Sequence, residues 1–263
     1  MLQRVLGICL AGALLACATS PLGRRQLRLF PDEQMSQMGV AAYDKMKQEM
    51  PRSRDARSAS YVRCVAGAVT AEVTGRHAGS RWEVTVFQDP SPNAFALPGG
   101  KIGVHTGLLK VAHNQDQLAT VLGHEVAHVL AEHGNERVST AFAAQTGVDL
   151  AGKISGSATP TQQQLLGLLG LGAQVGVLLP FSRAQESEAD ALGLDLMARA
   201  GFDPRESTQL WKNMSNAGGG QPPEFLSTHP SHGTRIQDLN ARMSEARSLL
   251  EQARAQGKRP ACS

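Results

Sequence analysis

Residues 121–130 read VLGHEVAHVL, and this stretch decides how the fold is interpreted. Its two histidines, His124 and His128, stand four residues apart. Positions with that spacing share one face of a helix, so both imidazoles can reach one metal ion. Glu125 follows the first histidine and is placed to hold a metal-bound water. Burying these three polar side chains without a partner would cost several kcal/mol, so a metal site explains them better than a satisfied core histidine does.

A catalytic zinc needs three protein ligands and one open position for water, so a third ligand must lie elsewhere in the chain. One class of zinc protease places a third histidine ten residues after the first, but that position here is Gly134. His133 is five residues past His128 and is predicted to lie on another face of the helix. A second class takes a glutamate from a later helix, which directs the search downstream.

Residues 181–193, FSRAQESEADALG, place three acidic side chains near the start of a predicted helix that a capping box at Ser182 opens. Glu186 lies in the first turn, where the helix dipole favours a carboxylate, and Asp190 follows four residues later on the same face. The spacing therefore selects Glu186 as the third metal ligand. Asp190 is placed to accept a hydrogen bond from the outer nitrogen of a ligating histidine. Glu188 points to a different face, toward solvent or a structural ion pair.

The helices and strands needed to position these motifs follow from periodicity and turn residues. Helices are predicted over residues 32–50, 59–73, 114–133, 137–152, 204–217 and 234–256. Strands are predicted over residues 82–87, 95–97 and 102–104. The apolar run of residues 163–179 is interpreted as a core helix or, alternatively, as a lid beside the active site.

Four stretches in this order resemble one zinc metallopeptidase family, which includes the CAAX prenyl proteases, HtpX, the Oma-type proteases and, closest in pattern, the periplasmic BepA- and LoiP-like lipoproteins. The stretches are residues 93–108, 124–137, 182–190 and 227–236. The resemblance implies an α+β fold, a mostly helical zincin-like domain with a glutamate ligand, a small antiparallel sheet and one Zn²⁺ per chain. In this family the first Glu of the ExxAD motif is the zinc ligand, which agrees with Glu186.

The resemblance also implies a zinc metalloendopeptidase with roles for three further residues. Glu125 would take a proton from the metal-bound water and pass it to the leaving amine. His229, in the Thr-His-Pro loop, resembles the family's candidate for stabilising the oxyanion. Alternatively, His229 occupies the fourth zinc position in a latent state or is a plain surface histidine. Arg235 would position that loop or the oxyanion.

A substrate-binding strand is implied as well. The segment formed by Asn93, Ala94 and Phe95 resembles the edge strand that pairs with an extended substrate in zinc proteases with a glutamate ligand. The alternative is a plain hairpin, in which Pro98 simply ends the strand. Backbone pairing depends little on sequence, which suits unfolded or misassembled cell-envelope proteins as substrates.

The N-terminus predicts export and a lipid anchor. Residues 1–16 have one early positive charge and a short apolar run, the layout of a secretory signal peptide. The letters LLAC ending at Cys17 resemble the lipobox of bacterial lipoproteins, in which that cysteine is lipidated; an ordinary signal peptide or an uncleaved anchor is the alternative. Residues 17–30 would be the lipidated N-terminus and a tether, and residues 31–263 a single metallopeptidase domain. The expected location is periplasmic, lipid-anchored and at the outer membrane.

Two cysteines remain once the signal and the anchor are set aside, Cys64 and Cys262. In an oxidising compartment such a pair is expected to form a disulfide that ties the C-terminal tail to an early helix. The alternative is two free thiols, because spacing alone does not establish proximity.

Composition limits the function classes. The 263 residues are 41% hydrophobic and 19% charged, so the chain buries a core, and its net charge of +3 is scattered and gives no nucleic-acid footprint. The expected partners are unfolded protein or peptide substrates, the membrane through the N-terminal lipid, and the outer-membrane assembly machinery. The alternative function is a chaperone or assembly factor for outer-membrane proteins that uses the same groove with little proteolysis. A third hypothesis for the function is a metal-bound structural domain without activity.

Overall fold

A computed structural model of the chain describes residues 17–155, 180–217, 224–230 and 233–263. The predicted signal peptide and the apolar run of residues 163–179 lie outside these residues. The helices are α1 (Asp32–Glu49), α2 (Ala56–Thr70), α3 (Gln115–Leu130), α4 (His133–Ser155), α5 (Arg183–Arg199), α6 (Glu206–Asn216), α7 (Glu224–Thr228) and α8 (Arg235–Ala255). The strands are β1 (Cys17–Thr19), β2 (Arg25–Leu27), β3 (Glu83–Phe87), β4 (Ala94–Leu97) and β5 (Lys101–His105). This mostly helical α+β arrangement confirms the predicted fold class.

Helix α3 lies at the centre of the core because it is apolar around most of its circumference and is buried from Gln117 to Val129. Asn114 caps it, since its side chain accepts a hydrogen bond from the backbone N–H of Gln117. Helix α5 crosses α3 at direct backbone contact, where a Cβ added to Gly193 would lie 2.7 Å from the backbone nitrogen of His124. The two helices that carry the predicted metal ligands are therefore held against each other.

The three-stranded sheet has the order β3-β5-β4 and is mixed. Strands β4 and β5 form the predicted antiparallel hairpin, with Phe95 opposite Gly103, but β3 pairs with β5 in parallel, with Thr85 opposite Gly103. The prediction of a purely antiparallel sheet missed this detail because the chain places β5, rather than its sequence neighbour β4, beside β3. Strand β4 is left at the edge of this sheet and packs next to α3.

The ends of two helices differ from the prediction. Helix α3 ends at Leu130 rather than at His133, because Glu132 adopts a left-handed backbone with φ 54°, and Gly134 belongs to α4. The side chain of Glu132 contacts both Arg28 and Arg76, and these ion pairs hold the turn. Helix α1 begins at Asp32 as predicted, with Pro31 at the cap position, but ends at Glu49 rather than at Met50.

The segment predicted to be a tether packs on the domain, so the expectation of a free linker over residues 17–30 is wrong. Strands β1 and β2 form an antiparallel hairpin, in which Cys17 pairs with Leu27. The buried Gln26 side chain donates to the carbonyl of Ala131 at 2.6 Å, and Arg24 pairs with Glu136 on α4. A tether would leave such polar groups to water, whereas here the domain satisfies them.

A disulfide joins Cys64 on α2 to Cys262, with a Cα–Cα distance of 5.7 Å across 198 residues of sequence. The tail around it also contacts the start of α3, because Gln115 donates to the carbonyl of Pro260 and accepts from the N–H of Cys262. No helix within residues 17–155, 180–217, 224–230 and 233–263 combines the length and the apolar character needed to cross a membrane.

Candidate metal centre

Four buried side chains converge on one point between α3, α5 and the end of α7, with ligand atoms within 4.8 Å of one another; they are His124, His128, Glu186 and His229. His124 Nε2 lies 3.0 Å from His128 Nε2, and Glu186 Oε1 lies 3.3 Å from His128 Nε2 and 3.0 Å from His229 Nδ1. Tetrahedral zinc with bonds of about 2.0–2.1 Å places neighbouring ligand atoms roughly 3.3 Å apart. Two or three imidazoles and one carboxylate in this arrangement fit such an ion.

Glu125 supplies a second observation that fits a metal site. Its Oε2 accepts a hydrogen bond from the backbone N–H of Ala96 at 3.3 Å. Its Oε1 is buried without a hydrogen-bond partner among the described residues, and His229 Nε2 lies 3.4 Å from it. A buried oxygen with a free lone pair beside a metal cluster is suited to a water molecule or a reacting group. Burial raises the pKa of Glu125, so this carboxylate takes up a proton more readily than an exposed one.

Arg235 donates a hydrogen bond to the carboxylate of Glu186, the predicted third ligand. The Arg235 guanidinium donates to Glu186 Oε2 at 2.5 Å and to Asp190 Oδ2 at 2.6 Å, and it lies 3.8 Å above the ring of Trp211. Burial opposes a charge on Glu186, but hydrogen bonds and charge from the histidines outweigh it and hold its pKa well below the usual range. Arg235 was expected to position the His229 loop or the oxyanion, but its Nε and Nη2 donors both contact carboxylates of α5, and its Nη1 is buried without a hydrogen-bond partner among the described residues.

Asp190 lies where the spacing argument placed it, with Oδ1 2.9 Å from Nδ1 of His124. That contact leaves Nε2 of His124 facing the cluster, which is the orientation a metal ligand requires. Burial lowers the pKa of His124, but the Glu186 and Asp190 carboxylates outweigh it and raise that pKa to about 9. A cation entering the cluster would therefore displace a proton from His124.

His133 contacts the cluster, although its spacing from His128 predicted that it would lie on another face. Its Nδ1 lies 2.9 Å from Nδ1 of His128, and its Nε2 lies 3.2 Å from Oε2 of Glu188. Burial lowers its pKa and favours the neutral ring. The predicted helix ran through His133 and so pointed it away, whereas the turn after Leu130 folds it back onto the site. A break between the two histidines would have been the signal, but no Gly or Pro marks it.

Glu188 takes the second of its two predicted roles, a structural ion pair. It is buried, accepts from Arg24 Nε at 3.0 Å and from the N–H of Leu22 at 3.2 Å, and also faces His133. Burial opposes its charge, but the hydrogen bond with His133 and those from the hairpin lower its pKa to about 2. The hairpin thus reaches a residue beside the cluster.

The predicted substrate segment lies along the edge of the sheet. Asn93, Ala94 and Phe95 are buried, and the Phe95 ring packs against Tyr43 and Phe87 rather than toward the cluster. The carbonyl of Asn93 accepts from β5, whereas the N–H of Ala96 points to Glu125. Contact with a bound chain would therefore come from the outer backbone edge of β4, not from these side chains.

Two phenylalanines enclose the cluster, and neither was predicted. The Phe181 ring lies 3.7 Å from that of His128, and the Phe225 ring stacks on that of His229 at 4.3 Å. The Arg137 guanidinium lies 3.6 Å above Phe181. Apolar rings at these positions exclude bulk water, which strengthens the electrostatic interactions within the cluster.

Comparison with known proteins identifies the family of the chain that carries this site. A model of peptidase family M48 matches residues 56–243. The mitochondrial metalloendopeptidase OMA1 of Schizosaccharomyces pombe is 41% identical over 180 residues, covering 65% of this chain and 49% of that relative. OMA1 of Homo sapiens is 32% identical over 250 residues, covering 88% and 47%. The beta-barrel assembly-enhancing protease of Escherichia coli is 33% identical over 167 residues, covering 61% and 34%. The chain thus spans about half or less of each relative's length.

These relatives overturn the predicted location. The expectation of a lipid-anchored protein of the periplasm, held at the outer membrane through Cys17, is wrong, because OMA1 relatives from fungi, animals and a plant are mitochondrial by name. The prediction rested on a short resemblance to a lipobox within the first 17 residues, whereas the comparison rests on most of the chain.

Proposed function

We propose that this chain, which belongs to peptidase family M48 as its four motifs predicted, is a zinc-dependent endopeptidase that hydrolyses unfolded or misassembled protein chains. The observation that carries the proposal is the buried cluster of His124, His128, Glu186 and His229 beside a buried Glu125 oxygen that has no hydrogen-bond partner among the described residues. The predicted cell-envelope origin of the substrates depended on the periplasmic location and is not proposed.

His124, His128 and Glu186 would hold the ion. Bound Zn²⁺ would lower the pKa of its water to about 7 and polarise a peptide carbonyl. Asp190 and Arg235 keep the ligands in place, since Asp190 contacts the outer nitrogen Nδ1 of His124 and Arg235 donates to Oε2 of Glu186. The buried surroundings would add to the attraction between the ion and Glu186.

Glu125 would act as general base and then as general acid. Its Oε1 accepts a proton from the attacking water as the new carbon–oxygen bond forms, and it gives that proton to the amine nitrogen as the carbon–nitrogen bond breaks. The raised pKa of this buried carboxylate supports both steps, because it can hold the proton between them. The hydrogen bond from Ala96 fixes the other oxygen, so Oε1 is the one available.

Substrates would be bound through their backbones. The outer edge of β4 is not paired with another described strand, and it ends beside Glu125. An extended chain added to that edge would lie next to the cluster and would form hydrogen bonds that depend little on its sequence. This supports unfolded protein or peptide segments as substrates and partners.

The position of His229 within the cluster supports a resting state in which the metal site is closed to water. Its Nδ1 lies 3.2 Å from His124 Nε2 and 3.0 Å from Glu186 Oε1, so it would be able to hold the ion together with His124, His128 and Glu186. Since a catalytic zinc site keeps one position open for water, a His229 bound in this way would have to withdraw before hydrolysis. Once withdrawn, it would be free to act on the oxyanion.

The same closed position favours a second candidate, a chaperone or assembly factor that holds client chains on β4 and cuts rarely. An E. coli relative carries the name beta-barrel assembly-enhancing protease, and that name describes the relative alone. The two candidates differ in whether bound chains are cleaved.

The test is cleavage of unfolded casein by the wild type and by Glu125→Gln, with zinc content measured for each. The matched control is Glu251→Gln, the same change at an exposed position of α8. We expect one zinc per chain in all three proteins and a loss of about 10²–10⁴-fold in cleavage for Glu125→Gln alone. Equal cleavage by Glu125→Gln would refute the proposed role of Glu125. A wild type that binds zinc and suppresses casein aggregation without cutting would favour the second candidate.

A further inference from the structure

The two histidines on α3 have different neighbours at their outer nitrogens. His124 Nδ1 faces the carboxylate of Asp190 directly, at 2.9 Å. His128 Nδ1 instead faces the imidazole of His133, also at 2.9 Å. A carboxylate lies one step further out, because His133 Nε2 is 3.2 Å from Glu188 Oε2. The second ligand is therefore connected to its carboxylate through an intervening ring.

Matching donors to acceptors assigns one tautomer to the His128 ring and one to the His133 ring. His128 Nε2 faces the cluster, 3.3 Å from Glu186 Oε1, so a metal-binding ring must keep its lone pair there and carry its hydrogen on Nδ1. That Nδ1–H must donate to Nδ1 of His133. Nε2 of His133 then carries the hydrogen and donates to Glu188, whose ionised carboxylate only accepts. Each of these contacts thus joins one donor to one acceptor.

Glu188, the last residue in this series of hydrogen bonds, is fixed by the N-terminal hairpin. Glu188 accepts from Arg24 Nε at 3.0 Å, and the same guanidinium binds Glu136 at 2.5 Å. Glu136 in turn accepts a hydrogen bond from the Gln185 side chain at 2.7 Å, and Gln185 is the residue that completes the capping box of α5. The hairpin therefore connects to the helix that carries Glu186 as well as to α4, which begins at His133.

We propose that His133 and Glu188 are positioning residues, which fix the tautomer and ring orientation of His128, and that Arg24 completes this relay from the hairpin. The proposal rests on the proposed metal site. None of the three side chains belongs to the ligand set of that site, and each acts through the next. Loss of such outer contacts typically lowers metal affinity about 10–100-fold.

The test measures the zinc dissociation constant by chelator competition, together with the visible spectrum of the Co²⁺-loaded protein. For His133→Leu we expect zinc affinity to fall about 10–100-fold and the Co²⁺ bands to shift. For His133→Asn we expect recovery of most of that loss, because the amide oxygen again accepts from His128 Nδ1. A ring that served only to fill space would give the opposite order, since Leu fills more of the apolar volume than Asn.

A second pair of variants tests the hairpin and guards against misfolding of the first. Arg24→Ala is expected to weaken zinc binding by about 3–10-fold, below the range for loss of a direct outer partner. Its control is Arg25→Ala, an exposed neighbour on β2, which should leave zinc affinity unchanged. Far-ultraviolet circular dichroism of the metal-free proteins confirms that each variant is folded.

The outcomes separate the relay from the proposed function. A wild type that binds zinc and cleaves casein, with His133→Leu and Arg24→Ala matching it in zinc affinity and Co²⁺ spectrum, would overturn the relay and leave the proposed function intact. A wild type that binds no zinc would overturn both. Weakened binding in His133→Leu and Arg24→Ala, rescued by His133→Asn, would establish the relay even if casein is not cut.

Discussion

Glu186 and Glu188 stand two residues apart in α5 and face different surroundings. Glu186 is fully buried among the histidines of the cluster and Arg235, whereas Glu188 faces His133 and the hairpin. The difference follows from helix geometry, because residues two apart point about 200° away from each other around the axis. The same carboxylate chemistry therefore produces a member of the proposed metal site in one case and a structural ion pair in the other.

We expect Glu186→Gln to lose zinc and Glu188→Gln to keep it. A neutral amide at position 186 removes the only carboxylate among the four clustered ligand atoms, and the buried Arg235 then lacks part of its counter-charge. The amide oxygen at position 188 still accepts from His133, so the loss there should stay within about 10-fold. Zinc content after dialysis against a weak chelator measures the difference. Zinc lost from Glu188→Gln and kept in Glu186→Gln would reverse the assignment.

Much of the site could be predicted at this scale because short-range spacing determines it. The interval between His124 and His128, and that between Glu186 and Asp190, are intervals of one helical turn, and a helix places such residues together whatever the rest of the chain does. His133 and Arg24 could not be predicted in the same way. Their positions depend on a turn and a hairpin whose contacts are distant in sequence.

At the scale of elements, the crossing of α3 and α5 brings the two motifs together. Gly123 and Gly193 allow it, because a Cβ on Gly123 would lie 2.7 Å from the carbonyl oxygen of Gly193. Close backbone contact at this point places Asp190 beside His124, since both residues lie within one turn of a crossing glycine. The geometry of the site is thus set by two small residues that carry no chemistry.

We expect Gly193→Ala to separate these helices and weaken the site. The new methyl group would meet the backbone of α3, which cannot move aside as a flexible side chain would, and overpacking of this kind costs about 1–3 kcal/mol. The matched control is Gly67→Ala, an exposed position of α2 where nothing lies within 4 Å, and it should be neutral or stabilising by up to about 1 kcal/mol. Urea denaturation and zinc affinity are the measurements. Unchanged values in Gly193→Ala would show that the crossing tolerates separation.

Element boundaries followed the sequence where a capping group was present and departed from it where tertiary contacts took over. Helix α5 begins with the predicted capping box of Ser182 and Gln185. Helix α3 ends early because Glu132 adopts a left-handed backbone conformation, which a glutamate seldom does unless other contacts stabilise it. Its support comes from Arg28 and Arg76, and no local pattern indicates that these distant residues would lie there.

At the scale of the whole molecule, the two ends of the described chain both pack against the helices that form the site. The N-terminal hairpin reaches α4 and α5 through Arg24, and the C-terminal tail reaches α2 and α3 through Cys262 and its neighbours. The sequence predicted the tail contact, because two cysteines remained to be paired, but not the hairpin contact, because its short strands show no clear alternation. Both ends add contacts of long sequence separation, and the disulfide at the C-terminal end also restricts the unfolded chain.

The disulfide provides a test of this restraint. Breaking the bond between Cys64 and Cys262 frees a closed loop of 198 residues, and removal of a native disulfide typically costs about 2–5 kcal/mol. For a domain of this size that corresponds to a fall in melting temperature of about 2–4 °C for each kcal/mol. The salt bridge of Lys258 with Glu72 and the hydrogen bonds to Gln115 retain part of the tail, so we expect the lower half of that range.

The measurement is the melting temperature of the wild type and of the Cys64→Ser, Cys262→Ser double variant, each with and without dithiothreitol. Reductant should lower the melting temperature of the wild type to that of the double variant and leave the variant unchanged, which controls for other effects of the reagent. Zinc affinity should change little, because the tail contacts α3 at Gln115, more than two turns before His124. A wild type indifferent to reductant would show that the hydrogen bonds and Lys258 alone hold the tail, and a large loss of zinc would show that the restraint extends along α3 to the metal site.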